Sequence, residues 1–207
     1  MQKTGSGGTP LSTVRAYYEN GTIPWINSGE VNEPFIVKAE KFITEEGLNN
    51  SSAKIFKKGT ILMAMYGATA GKVSLIDIEA CTNQAICGIN PDKEFYSAFV
   101  KFGLEDLYKY LINLSTGSAR DNLSQDKIKE LKFLFPEERL LRTFHESINS
   151  SMVKILMNMK ENQKLSELRD WLLPMLMNGQ VKVGEAEQEL AMAAEPELGY
   201  SKKNKSK

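Results

Sequence analysis

Apolar and polar positions along the chain fall into three textures. Up to about residue 136, short runs of Ile, Val, Leu and aromatic residues alternate with stretches punctuated by glycine and proline. Period-two and short continuous apolar runs predict strands at Pro34–Val37, Thr60–Met65, Lys72–Ile78, Ala85–Ile89 and Lys132–Leu134. Helical spacing predicts helices at Lys38–Glu40, Ala98–Ile112 and Gln125–Glu130. Ser124 is placed to cap the last of these, because its hydroxyl can accept from the first orphan N–H groups. The preceding stretch, STGSARDN, reads as a polar loop.

From Pro136 the period changes. Pro136 suits the position just before a helix, and Glu137 and Glu138 suit the positive end of its dipole. Leu141, Phe144, Ile148, Met152, Ile155, Met159, Leu165, Leu168 and Leu172 then recur at steps of mostly three and four. No Pro or Gly interrupts the pattern before Pro174. One helix of about 35–40 residues is predicted within 137–177, about 55 Å long at about 1.5 Å per residue. A globular domain of the preceding size leaves part of such a rod uncovered, so the stripe calls for a partner helix, with Asn162 as a register-fixing polar residue. After Gly179 the chain turns polar, and 181–207 reads as a disordered tail. The division expected is therefore 1–136, 137–180 and 181–207.

Composition changes this picture little. The chain has 207 residues, 42% of them hydrophobic, and a formal net charge of zero, so it lacks the global basic signature of many nucleic-acid binders. Cys81 and Cys87 fall in one predicted strand and its edge, on one face but too far apart to bond, and read as buried thiols of a reducing compartment. No apolar run reaches the about 18 residues of a membrane span, and no signal peptide is evident, which points to the cytoplasm.

Candidate chemistry centres on MYGATAGKV, Met65 to Val73. It resembles a phosphate-binding loop but departs from one in spacing and chemistry. Gly67 and Gly71 enclose only Ala68, Thr69 and Ala70, one residue short, and Val73 stands where a Mg²⁺-binding hydroxyl is needed. Strands on both sides make it a hairpin turn instead, presenting Tyr66, Thr69 and Lys72. Methyl transfer needs an Asn/Asp-Pro-Pro-Tyr-like motif and a glycine-rich cofactor loop, and DNA cleavage needs clustered carboxylates with a lysine. Neither set stands in the sequence. The single histidine, His145, lies beside Phe144 on the long helix as a surface or seam residue. No catalytic residue, metal site or cofactor is expected.

Taken in order, several pieces resemble one family. GSGGTP (Gly5–Pro10), GTIPWINSGEV (Gly21–Val31), MYGATAGKV and CTNQAICGI (Cys81–Ile89) precede TGSARDNLSQDKIKELKFLFP (Thr116–Pro136) and a long helix ending in LRDWLLPMLMNGQVKV (Leu168–Val183). This series resembles one half of a type I restriction–modification specificity subunit. The resemblance implies an α+β fold: a mixed target-recognition domain followed by a long helix in an antiparallel coiled coil. It also implies a non-catalytic role, in which the subunit reads one half of a split target in double-stranded DNA. The partners implied are the methyltransferase (modification) subunit, the motor–nuclease (restriction) subunit and, through the long helix, a second copy. Relatives carry a strand and helix before the Gly-Gly-Thr-Pro loop, so the chain reads as a truncated or half subunit.

On that reading the DNA-facing residues are Ser6, Gly8, Thr9, Lys72, Ser118, Arg120 and Asn122. Gly5, Ser6, Gly8 and Thr9 would let backbone approach the duplex. Arg120 suits guanine and Asn122 adenine in the major groove, while Lys72 and Ser118 suit phosphate. Trp25 reads as core in preference to a stacking platform, and Asn83 and Gln84 as either DNA contacts or loop braces. The competing function is a coiled-coil adaptor whose first domain binds a protein or small molecule.

Overall fold

The computed structural model describes residues 3–108, 110, 123–132, 134–180 and 184. They belong to two compact units, 1–159 and 160–207.

The first unit is built on two sheets. One has five strands in the order β1 (Lys3–Ser6), β9 (Ile86–Asn90), β6 (Ile61–Ala64), β7 (Val73–Ile76), β3 (Phe35–Ile36). The other has four, in the order β4 (Lys41–Ile43), β2 (Ile23–Ile26), β8 (Ala80–Thr82), β5 (Ile55–Phe56). All neighbours are antiparallel except β3–β7 and β2–β8. A short helix α1 (Glu45–Asn49) follows β4, capped by the Thr44 hydroxyl, which accepts from the Gly47 N–H.

Strand β6 sits between β9 and β7 and is buried along its whole length. Ile61 and Met63 point to one face, where they meet Val100 and Leu104 of α2 (Ser97–Asp106) and Ile128 of α3 (Gln125–Glu130). Leu62 and Ala64 point to the other and meet Ile26, Phe56 and Ala80 of the second sheet. Burial on both faces explains the continuous apolar run ILMAM, since an alternating pattern would bury polar side chains on one side. Each fully buried Ile, Leu or Met here contributes about 1.5–3 kcal/mol.

The long helix α4 runs from Glu138 to Met177. Within the first unit Leu141 is buried, and Met152, Leu156 and Met159 pack against the core beneath the five-stranded sheet. Leu156, half-buried against the core, thus takes the inward place that the periodicity gave to Ile155, which stays exposed with Val153 and Met157. Within the second unit the helix passes through Pro174, with Leu172 buried. It ends at Gly179 in a left-handed conformation, φ 66°. There Gly179 N–H donates to Leu176 and Gln180 N–H to Met175, the paired bonds that satisfy orphan carbonyls at a helix end.

The α+β class and the long helix agree with the expectation, as do the strands around residues 35, 61–64, 73–76 and 86–89 and the Ser124-capped helix. Several local readings are corrected. Lys38–Glu40 form no helix: Ala39 is drawn into the core, and Glu40 N–H donates to the Glu30 carboxylate. Lys132 and Leu134 are not in a strand. Leu134 is 97% exposed, and Phe135 turns toward the rings of Tyr96 and Phe99. Helix α2 is placed to Asp106, and residues 111–112 of that expected helix lie outside the described part. The tail expected to be disordered, apart from Gly184, also lies outside it.

The two cysteines are on different strands in different sheets, Cys81 on β8 and Cys87 on β9, both free and fully buried. Burial pushes the Cys81 thiol up to about 11 and the Cys87 thiol to about 12. Both therefore stay protonated in the fold where an unfolded chain would ionise them, and stability should fall as pH rises above about 9. A disulfide-exchange reagent at pH 8 should react with both thiols in denaturant and leave the native chain unreacted over the same time. Equal rates in the two states would contradict the packing.

Candidate nucleic-acid interface

Of the residues singled out in the sequence, Ser6, Gly8, Thr9 and Lys72 gather around one end of the five-stranded sheet. Its register sets Ser6 opposite Cys87, Cys87 opposite Met63, and Met63 opposite Val73. Ser6 at the end of β1 and Lys72 just before β7 therefore share that end, about 14 Å apart over three strand spacings. The Gly7–Thr9 loop leaves from Ser6, and Asn83 and Gln84 precede β9 at the same end. Leu123, fully buried, donates its N–H to Met65 O at 3.1 Å just beyond the end of β6. Ser118, Arg120 and Asn122 lie outside the described residues.

The hairpin Met65–Val73 is a closed turn. Gly67 and Gly71 take φ of 78° and 79°, which other residues adopt at a cost. Ala70 N–H donates to Gly67 O, Gly71 N–H to Ala64 O and Lys72 N–H to Thr69 O. The Ala70, Gly71 and Lys72 amides, which a phosphate cradle would aim outward, are thus used inside the turn. Thr69 Oγ1 donates to Ser28 O at 2.6 Å and fixes the turn against the loop at Asn27–Glu30. Glu30 braces that loop, accepting from Asn27 N–H and Glu40 N–H, and burial raises its carboxyl above the usual range. Lys72 is half-buried beside a cleft of about 360 Å³ that Asn32, Glu33, Glu105 and Tyr108 also line. Those four come from two distant segments, and nothing in their spacing marked them in the sequence.

Gly7 and Gly8 are explained inside the domain. A Cβ on Gly7 would lie 2.0 Å from Thr82 O, and one on Gly8 2.2 Å from Ser52 Oγ and 2.5 Å from its backbone carbon. Gly8 N–H donates to Thr82 O, and Gly8 O accepts from Trp25 Nε1 at 3.0 Å. Trp25 is therefore core, buried to 7% exposure, with its indole N–H used to hold this loop. Tyr18 Oη donates to Pro10 O at 2.6 Å. Thr9 stays exposed, its hydroxyl donating to Gln84 Oε1. Asn83 Oδ1 accepts from Ala85 N–H. Both amides brace loops, and both loops sit at the sheet end. Among the described residues no three His, Cys, Asp or Glu side chains gather where a metal could bind, and no helix is long and apolar enough to cross a membrane.

A braced loop end of this kind suits recognition of an extended surface. Residues 2–168 match the type I restriction modification DNA specificity domain, and the chain belongs to that family. It is 31% identical over 179 residues to the type I restriction enzyme HindI specificity subunit of Haemophilus influenzae, covering 84% of this chain and 39% of that one. It is 30% identical over 135 residues to the MjaIX specificity subunit of Methanocaldococcus jannaschii, covering 63% and 31%. The crystal structure of a type I S subunit from M. genitalium shares the fold, with a TM-score of 0.58 at 18% identity over 84% of this chain and 43% of that one. The chain thus spans less than half the length of these relatives.

The packing of Gly8 makes a prediction. Gly8→Ala should destabilise the isolated protein by about 1–3 kcal/mol through overpacking against Ser52. Urea denaturation without DNA measures this, and unchanged stability would return Gly8 to a purely DNA-facing role.

Proposed function

We propose that this chain is a sequence-specific DNA-binding module that reads one half of a bipartite target in double-stranded DNA. It performs no chemistry of its own and acts in the cytoplasm, docking the methyltransferase and motor–nuclease subunits of a type I restriction–modification enzyme. The observation that supports this most is the family membership together with the gathering of Ser6, Thr9 and Lys72 at one sheet end, where Ser6 and Lys72 lie about 14 Å apart, comparable to a major-groove width of ~12 Å.

On this reading Thr9, Ser6 and Lys72 contact the backbone, with Ser118, while Arg120 and Asn122 read bases. Gly8 acts by holding the loop. The exposed apolar side chains of α4, Ile155 among them, meet a second long helix, from another half or another copy. Joining two recognition domains raises the effective concentration of the second, so a pair should bind far more tightly than one half.

Binding of cognate and scrambled duplexes by the chain assembled with its methyltransferase subunit tests the assignment. Lys72→Ala should weaken all sequences alike and lower the salt slope by about one contact. Arg120→Ala should lose about 1–3 kcal/mol and relax preference at one base pair. Wild-type binding by both variants would contradict the assignment of Lys72 and Arg120 to the DNA interface. Sequence-independent binding by the wild-type assembly would favour an adaptor instead.

Ile155→Asp should leave the first unit's melting unchanged and lower the solution mass of any helix-paired assembly, since a buried charge in the seam costs several kcal/mol, about 2–5. An unaltered mass would rule Ile155 out of the seam.

A further inference from the structure

The base of the long helix is held to the recognition domain by directional contacts. Residues 131–137, as far as they are described, form no helix or strand, and they contain the only covalent link between α3 and α4. Such a link allows the helix to pivot unless something else holds it. Downstream, Leu141, Met152, Leu156 and Met159 lean on the core through apolar contacts, which are non-directional. At the base the contacts are different. Glu138 pairs with Lys93, which precedes α2, and its Oε1 accepts from Arg142 Nε at 3.1 Å and Nη2 at 2.6 Å. The Arg142 guanidinium lies 4.1 Å from the centre of the Phe95 ring. Phe135 stands edge-on to both Tyr96 and Phe99, and Phe99 is edge-on to Phe144. These contacts have preferred angles as well as preferred distances.

We infer that this charged and aromatic clamp, with Glu138 and Phe135 as positioning residues, sets the angle at which the recognition domain is carried on its helix and so selects the length of unread DNA between half-sites. The selection of DNA length rests on the function proposed above; the angle does not. Magnitudes favour the base as the control point. From Glu138 to Met159 the helix rises about 32 Å, so a pivot of about 3°, small enough to keep Met152, Leu156 and Met159 in contact with the core, moves its far end by about 1.7 Å, half a base-pair step of about 3.4 Å. Glu138 and Phe135 are both substantially exposed, so they can be changed without emptying the core.

Two measurements on Glu138→Gln and Phe135→Leu test this. In the first, spin labels on Asn49→Cys and Ser151→Cys, both exposed, report the distance between the domain and the helix in the full chain; the native cysteines are buried. The parent should give one narrow distribution, and each clamp variant a broader or displaced one at unchanged helix content. In the second, the chain assembled with the methyltransferase subunit selects from duplexes of varied spacer. The variants should keep the half-site sequence, while discrimination against neighbouring spacer lengths falls by about tenfold. Parent-like distances in both variants would overturn the clamp. Altered distances with unaltered spacer choice would overturn its role in selection. Failure of the unmodified assembly to prefer any sequence would count against the proposed function and leave the distances to decide the clamp.

Discussion

Burial of β6 on both faces is the constraint from which the rest of the first unit follows. With β9 and β7 on its two edges, helices under Ile61 and Met63, and the second sheet over Leu62 and Ala64, the strand has no exposed side. Chain can leave it only at its ends. At one end, Met65 is pinned by N–H donation to Ala85 O and by acceptance from Leu123 N–H. Loops from β1, β6 and β9 therefore converge on a rigid edge instead of drifting over a surface, which is the arrangement a recognition site needs.

That constraint explains what could be read in advance. The ILMAM run, the Val73–Ile76 run and the Ile86–Ile89 run are apolar enough to announce strands by composition alone. The helix from Glu138 announced itself by period. Of the strands that escaped notice, which include Ile23–Ile26, Lys41–Ile43 and Ala80–Thr82, two carry little pairing signal in their side chains. Lys3–Ser6 is polar and carries Gly5, which sits opposite Gly88, both against the Phe56 ring. Ile55–Phe56 is only two residues long. Lys132–Leu134 shows the converse: its apolar residues imitate a strand, while Phe135 is recruited by an aromatic cluster that only the fold assembles.

The candidate site was legible to the same partial extent. Thr9 and Lys72 stood out as an exposed hydroxyl and a cation beside glycine turns, and the fold brings their segments to one edge. Gly8 also stood out, yet its small size answers to Ser52 and Thr82 within the domain. Glycine spacing alone does not separate close approach to a ligand from close approach to the protein's own backbone. Glu33, Glu105 and Tyr108 beside Lys72 had no sequence signal, because their proximity depends on where α2 packs.

On the proposed function, one end of the five-stranded sheet faces DNA. Hydrogen exchange of the methyltransferase-assembled protein, with and without a cognate duplex, tests it most directly. Added protection is expected in peptides covering residues 6–11, 66–72 and 83–85, with little change at residues 57–60 and 77–79 at the opposite end. Protection confined to that opposite end, or to the long helix alone, would contradict it.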